Sequence, residues 1–408
     1  MREMKDSGVE WIGEIPISWV QKKVKYIVSI SSGSFISKEQ YEDDGKYPVI
    51  GANGEIGRTN KCNNQEYVIT TGRVGTIGTA HKVQKSWITD NVLIMSDIKA
   101  NIDYFRYAIS SFDYQHMTAG TAMPLITATK INNQVIPFPS RLVQQKIAAH
   151  LDRKCTQIDA LISNAQQQIE KLKAYKQSVI TETVTKGLDP DVKMKDSGVE
   201  WIGEIPEHWE VIRLKFLLQY IIDCPHETPN YSFDGEYYVI RTADEDYGFL
   251  RADEQMYRLD EKEYKHRIRR LSLDKDDIVY GREGERWGLA CIVPESNKYC
   301  LGQRMMQFRC NEHIVPMFIM WALNSKNIYV QGCFDTLGST SPHVNISTII
   351  NYEIPIPSYE EQNKLASFLE EKCSRIDKLI ALKQQKIEKL QQYKKSLIYE
   401  YVTGKKEV

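Results

Sequence analysis

Nowhere in this 408-residue chain does an apolar run approach the 18 or so residues of a membrane-spanning helix, and the polar start MREMKDSGVE lacks the apolar core of a secretory signal. A cytoplasmic protein is expected. The eight cysteines, at 62, 155, 224, 291, 300, 310, 333 and 373, form no CxxC pair and no Cys/His group at metal spacing. This argues against a zinc module or a disulfide framework and leaves reduced, structural thiols. Net charge is only -1, so the basic footprint of a whole-chain nucleic-acid binder is missing. Residues 20–142 carry 14 Lys+Arg against 10 Asp+Glu, and residues 210–357 carry 17 against 22, so any DNA contact has to come from local patches. Catalytic motifs are missing too. There is no HExxH, no nucleophile elbow and no Asn/Asp-Pro-Pro-Tyr/Phe motif of amino-methyltransferases, and no Walker lysine follows the glycines of residues 71–78. Asp191, Glu370 and Lys372 fall in a linker and on a helix face rather than in a nuclease site.

What the chain does contain is itself, twice. Residues 144–187 return 218 positions later as residues 362–405, with 23 of 44 paired positions identical. Neither copy has Pro or Gly before its last residues, and helix formers dominate, so each predicts one long helix closed by Gly187 or Gly404. Cys155, Ile158, Ile162, Ala165, Ile169, Leu172 and Val179 step by three and four, with Lys176 interrupting the seam. The second copy repeats the seam as Cys373, Ile376, Ile380, Ile387, Leu390 and Leu397, interrupted by Lys383 and Lys394. Neither stripe can be buried by its own helix, so the economical partner of one is the other, in an intramolecular coiled coil.

Each helix closes a larger repeat. MKDSGVEWIGEIP occurs at residues 4–16 and again at 194–206, with Trp19 and Trp209 extending the match, and its Trp, Ile and Pro residues suit a docked structural segment. Residues 120–131 match 338–349 in register, and Ile136-Pro-Phe-Pro139 and Ile354-Pro-Ile-Pro357 then read as extended exits into the helices. Ser358 and Glu361 form a capping-box pattern that the first copy lacks. The expected organisation is an N-terminal segment 1–19, a middle domain 20–139, a helix 140–187, a linker with the second signature 188–209, a middle domain 210–357 and a helix 358–408. The middles share little sequence, and the second is 28 residues longer. Short β-rich runs between Gly and Asn turns make each an α+β domain.

Two Gly-rich tips stand out in the middles, residues 71–78 and 281–288, each carrying arginine between predicted strands. Arginine on a tight loop can present its fork to guanine or to a phosphate, and glycine lets backbone approach a duplex. By residue type and loop context the candidate DNA contacts are Arg58, Arg73, Asn91, Arg282, Arg286, Gln303, Arg304 and His343. The basic run Lys262–Arg270 is a phosphate grip or a solvated helix face.

The doubled signature, the GSTxP and IPxPSxxEQ exit of the second copy and the IEKLxxYKxS run of both helices together resemble the specificity subunit of type I restriction-modification enzymes, over the whole chain. That resemblance implies two target recognition domains, each reading one half of a bipartite double-stranded DNA sequence, held by long helices packed antiparallel as a spacer. It implies a chain without catalysis of its own, serving a restriction endonuclease and DNA adenine methyltransferase complex. Two methyltransferase subunits and the restriction subunits would be its partners, and S-adenosylmethionine, ATP and magnesium would be bound by them. Helices of this length rise about 65 Å, and the dissimilar middles predict an asymmetric target.

Overall fold

In the computed structural model, which describes residues 2–74, 77–118, 125–246, 248–336 and 342–408, both repeated stretches are single helices. They span Arg141–Lys186 and Tyr359–Val402 and are followed by Gly187 and Gly404 at φ of +73° and +74°. None of the described helices is long and apolar enough to cross a membrane.

The chain forms two units whose borders differ from those of the sequence repeats, because each unit takes part of both helices. The first is Met1–Gln166 with Gln384–Val408, and the second is Gln167–Lys383. Within the first, the helix segments run antiparallel: the His150 and Tyr401 rings lie 4.5 Å apart, and further along Lys394 pairs with Asp159 at 2.6 Å. Cys155 and Ile158 share one core with Leu397 and Ile398, and Ile162 and Leu390 lie at its margin. Within the second, Lys176 pairs with Asp377 at 2.7 Å and Lys383 donates to Gln168 at 2.5 Å, again antiparallel. There Ile180 and Val184 pack with Leu365, Leu369 and Cys373.

Adding 218 to Lys176 and subtracting it from Asp377 gives Lys394 and Asp159. The two ion pairs are therefore one contact made twice, the mark of a pseudo-twofold repeat. Ala165, Ile169, Ile376 and Ile387 are also buried, and Leu172 and Ile380 are half-buried. Two of the three seam lysines, Lys176 and Lys394, thus meet acids and Lys383 meets the Gln168 amide oxygen, which suits a role in register more than in strength.

The middle domains are α+β, and they share a topology that their sequences hide. In the first, a four-stranded antiparallel sheet runs Ser29–Ser32, Val92–Ser96, Val68–Gly72, Ala80–Val83 across the sheet. In the second the order is Leu218–Asp223, Met305–Cys310, Ile278–Gly281, Ala290–Ile292. Beside each lies a three-stranded sheet: Gly54–Thr59, Tyr47–Gly51, Trp87–Ile88 in one, and Tyr257–Leu259, Tyr237–Ile240, Tyr299–Leu301 in the other. The central strand of each follows the same short pattern, Asp-Gly-x-Tyr-x-Val-Ile, at residues 44–50 and 234–240. Any side chain on Gly45 or Gly235 would strike the backbone of Thr59 or Leu259.

Matching ladder positions shows where the second domain is longer. The offset is 190 at Val49 and Val239, 209 at Gly72 and Gly281, 213 at Asn91 and Arg304, and 218 at Leu125 and His343. The largest step falls where the second domain adds the paired strands Glu245–Asp246 and Phe249–Leu250 and the Glu261–Arg267 helix.

The signatures are structural in both units. Each forms a short hairpin, Met4–Asp6 with Glu14–Pro16 and Met194–Asp196 with Glu204–Pro206, and buries an Ile-Ile-Trp set: Ile12, Ile15, Trp19 and Ile202, Ile205, Trp209. Trp19 lies against Gly404, and Trp209 against Gly187. The IPxP segments are the extended exits expected of them, and they are also paired. They are edge strands, Val135–Phe138 on Val20–Lys23 and Glu353–Ile356 on Glu210–Arg213, where a two-stranded ribbon has room for proline. The capping box is only half made. The Ser358 hydroxyl accepts from the Glu361 N–H, but the Glu361 carboxylate is taken by the Trp209 indole and by His208.

Candidate nucleic-acid interface

The Gly-rich tips predicted on either side of the chain form the same edge twice. In the second unit the sheet strand ends at Gly281, and the Arg282 N–H donates to the Arg304 carbonyl at 3.1 Å. The Arg282 carbonyl accepts from Val344 at 3.0 Å, and Glu283 bridges to His343. In the first unit the strand ends at Gly72, the Arg73 N–H donates to Asn91 at 2.9 Å, the Arg73 carbonyl accepts from Ile126 at 3.0 Å, and Val74 bridges to Leu125. Three segments thus meet at one edge: the strand tip, the two-residue turn before the next strand, and the exit segment. In register, Arg73 corresponds to Arg282, Asn91 to Arg304 and Leu125 to His343. Gly75 and Thr76 of the first tip, and residues 120–124 and 338–341 of the repeated exit, lie outside the described residues.

The candidate contacts divide sharply by environment. Arg282 is 8% exposed and is fully engaged: Nε pairs with Asp223 at 3.2 Å, Nη2 with Glu283 at 3.0 Å and His226 at 3.2 Å, and Nη1 donates to the Val344 carbonyl at 3.4 Å. It braces the edge from inside. Arg58 is also committed, donating to the Gly45 and Lys46 carbonyls and pairing with Glu55, on the neighbouring sheet. Arg286 is exposed but hydrogen-bonds the Glu245 carbonyl and faces a groove of about 1100 Å³ with Lys173, Lys326 and Tyr329. Arg73 and Gln303 are half-buried, and Asn91, Arg304 and His343 are exposed. Of the basic run, Arg267 is buried and donates to the Leu301, Glu227 and Pro225 carbonyls, so it holds the short helix in place.

The sequence drew no attention to Asp223 and His226, which become important only because the Leu218–Asp223 strand delivers them to Arg282. With Cys224 they form, among the described residues, the group of donors with metal-ligand proximity, all within 4.8 Å of one another. Metal binding fits poorly there. Asp223 and His226 are spent on each other and on Arg282, and burial pushes the Cys224 thiol up to about 11, away from the thiolate a metal needs. A second group, Glu245, lies behind the edge, fully buried beside Cys291. Burial raises its pKa well above the usual carboxylate range, and its Oε2 has no hydrogen-bond partner among the described residues. Two more residues have the same role in each unit. Gln144 and Gln362, both buried, each accept from a backbone N–H of the middle domain (Asn101, Val315) and donate to the exit carbonyl (Pro139, Pro357). Their identity in both copies was the available signal.

The edge is thus built twice on one backbone scheme, in two unlike middle domains carried by repeated helices. Comparison gives this arrangement a name. Residues 16–172 and 206–392 match the type I restriction modification DNA specificity domain, and the chain belongs to that family. The Methanocaldococcus jannaschii type I restriction enzyme MjaVIII specificity subunit is 26% identical, over 79% of this chain and 72% of that protein. The putative MjaX specificity subunit of the same organism is 24% identical over 97% of this chain and 95% of that protein. A solved structure described as the basis of complex assembly and conformational transition of the type I R-M system covers 95% of this chain and 98% of its own, with a TM-score of 0.65 and 13% identity, a likeness of fold.

Proposed function

We propose that this chain is the non-catalytic, cytoplasmic DNA-reading subunit of a type I restriction-modification assembly. Each middle domain reads one half of a bipartite, asymmetric duplex target, and the long helices set the unread spacer. Methylation and cleavage are performed by partner chains that bind S-adenosylmethionine, ATP and magnesium. The observation that carries the reading is the doubled edge: one backbone scheme, made twice, which places Asn91 and Leu125 beside the Arg73 tip in one unit and Arg304 and His343 beside the braced Arg282 in the other. A common scaffold with different side chains is what reading two different sequences requires.

The helices support two identical partner contacts. Leu161 and Tyr393 are exposed in the first unit, Leu379 and Tyr175 in the second, and the second pair is the first shifted by the repeat. Matching surfaces fit two copies of one methyltransferase subunit. The test is to purify the chain with its neighbouring methyltransferase chain and to map methylated positions in DNA. A split, asymmetric motif is expected, and no turnover by the chain alone. A continuous symmetric motif, or methylation by the chain alone, would refute the proposal, and a complex that ignores DNA would leave a coiled-coil scaffold with two protein-binding heads.

A further inference from the structure

We infer that Asn91 and Arg304 are equivalent specificity-determining positions, Asn91 reading adenine in one half of the target and Arg304 reading guanine in the other. The inference rests on the DNA-reading function proposed above and assigns residues within it. Both residues sit second in a two-residue turn, Asp90–Asn91 and Gln303–Arg304, immediately before the second strand of the four-stranded sheet. Both are exposed. Each backbone carbonyl is held by the N–H of the arginine on the neighbouring tip, Arg73 or Arg282, so the turn is fixed while the side chain projects from it. Among the described residues neither side chain makes an ion pair or a hydrogen bond, in contrast to Arg58, Arg282 and Arg286.

A base-reading group needs this combination of a fixed backbone and an uncommitted polar end. The side-chain chemistry then selects the base. The Asn amide offers a donor beside an acceptor, matching N6 and N7 of adenine, whereas the Arg fork offers two donors, matching O6 and N7 of guanine. Arg304 is further shaped for contact by Gly284, whose φ is +91° and where a side chain would come within 3.3 Å of the Arg304 guanidinium. The absence of that side chain leaves room for the fork beside the tip. Arg282, one step inside, is the positioning residue of this edge, since its guanidinium faces Asp223 and Glu283.

The test exchanges the two chemistries in the full chain assembled with its methyltransferase subunits: Arg304→Asn, Asn91→Arg and, as a charge-preserving control, Arg304→Lys. Binding is selected from a pool of randomised duplexes. Arg304→Asn is expected to convert one guanine to adenine in one half-site and to leave the other half unchanged. Asn91→Arg is expected to do the converse in the other half. Arg304→Lys is expected to keep overall affinity while discrimination at that one base falls by roughly 5- to 100-fold. An unchanged motif, or a uniform loss of affinity on every sequence, would overturn the assignment. A wild-type complex that selects no sequence would remove the DNA-reading function itself, and this assignment with it.

Discussion

Gln362→Met is a direct probe of how a middle domain is locked to its helix. Gln362 is 2% exposed. Its Oε1 accepts from the Val315 N–H at 2.9 Å and its Nε2 donates to the Pro357 carbonyl at 3.0 Å. Methionine has nearly the same length and volume, so packing is largely retained and the loss is confined to two buried backbone groups without partners. Each such group costs about 1–3 kcal/mol, so the variant should be destabilised by roughly 2–6 kcal/mol. For a unit of this size that corresponds to a fall in Tm on the order of 4–24 °C. Gln144→Met removes the counterpart bonds, 2.8 Å each to the Asn101 N–H and the Pro139 carbonyl, and should act on the other unit by a similar amount. Scanning calorimetry and guanidinium unfolding would measure both. A Gln362→Met midpoint within about 0.5 kcal/mol of wild type would refute the reasoning, because it would mean that these groups are not held by the glutamine.

Lys176→Leu and Lys394→Leu should each change stability by less than about 1 kcal/mol, because Asp377 and Asp159 are 43% and 54% exposed and remain solvated without their partners; urea midpoints would test it. Arg282→Ala should destabilise the second unit by about 1–3 kcal/mol by leaving Glu283 without its partner and Asp223 with His226 alone, whereas Arg286→Ala should stay within about 0.5 kcal/mol and weaken DNA binding on all sequences. Unfolding curves beside binding assays would separate the two. Glu245 gives a pH dependence. Its folded pKa lies above the unfolded value of 4.5, so the folded state holds its proton more tightly, and the stability this lends is complete below pH 4.5 and lost as pH rises through the folded pKa. Glu245→Gln lacks that loss, so its stability should gain on wild type from pH 4.5 to 8. A constant difference in urea midpoint over that range would refute the assignment.

The long helices, their seam and the doubled signature followed from sequence alone because their causes are local and periodic. Helix propensity, the three-and-four spacing of Ile158, Ile162 and Ile169, and a closing glycine act within a few residues of one another. The repeat then named the partner of the seam, since two equal apolar stripes in one chain are best buried on each other. Tertiary structure alone decided that each unit borrows from both helices, because antiparallel packing joins the start of one to the end of the other. It alone paired Asn91 with Arg304 across an offset of 213, a match hidden by insertions of different length in the two domains. It also separated braced from available arginines. Arg282 and Arg304 look equivalent as letters on Gly-rich loops, but Asp223 and Glu283 enclose one and leave the other exposed, and only the folding of a strand 59 residues earlier brings Asp223 to Arg282.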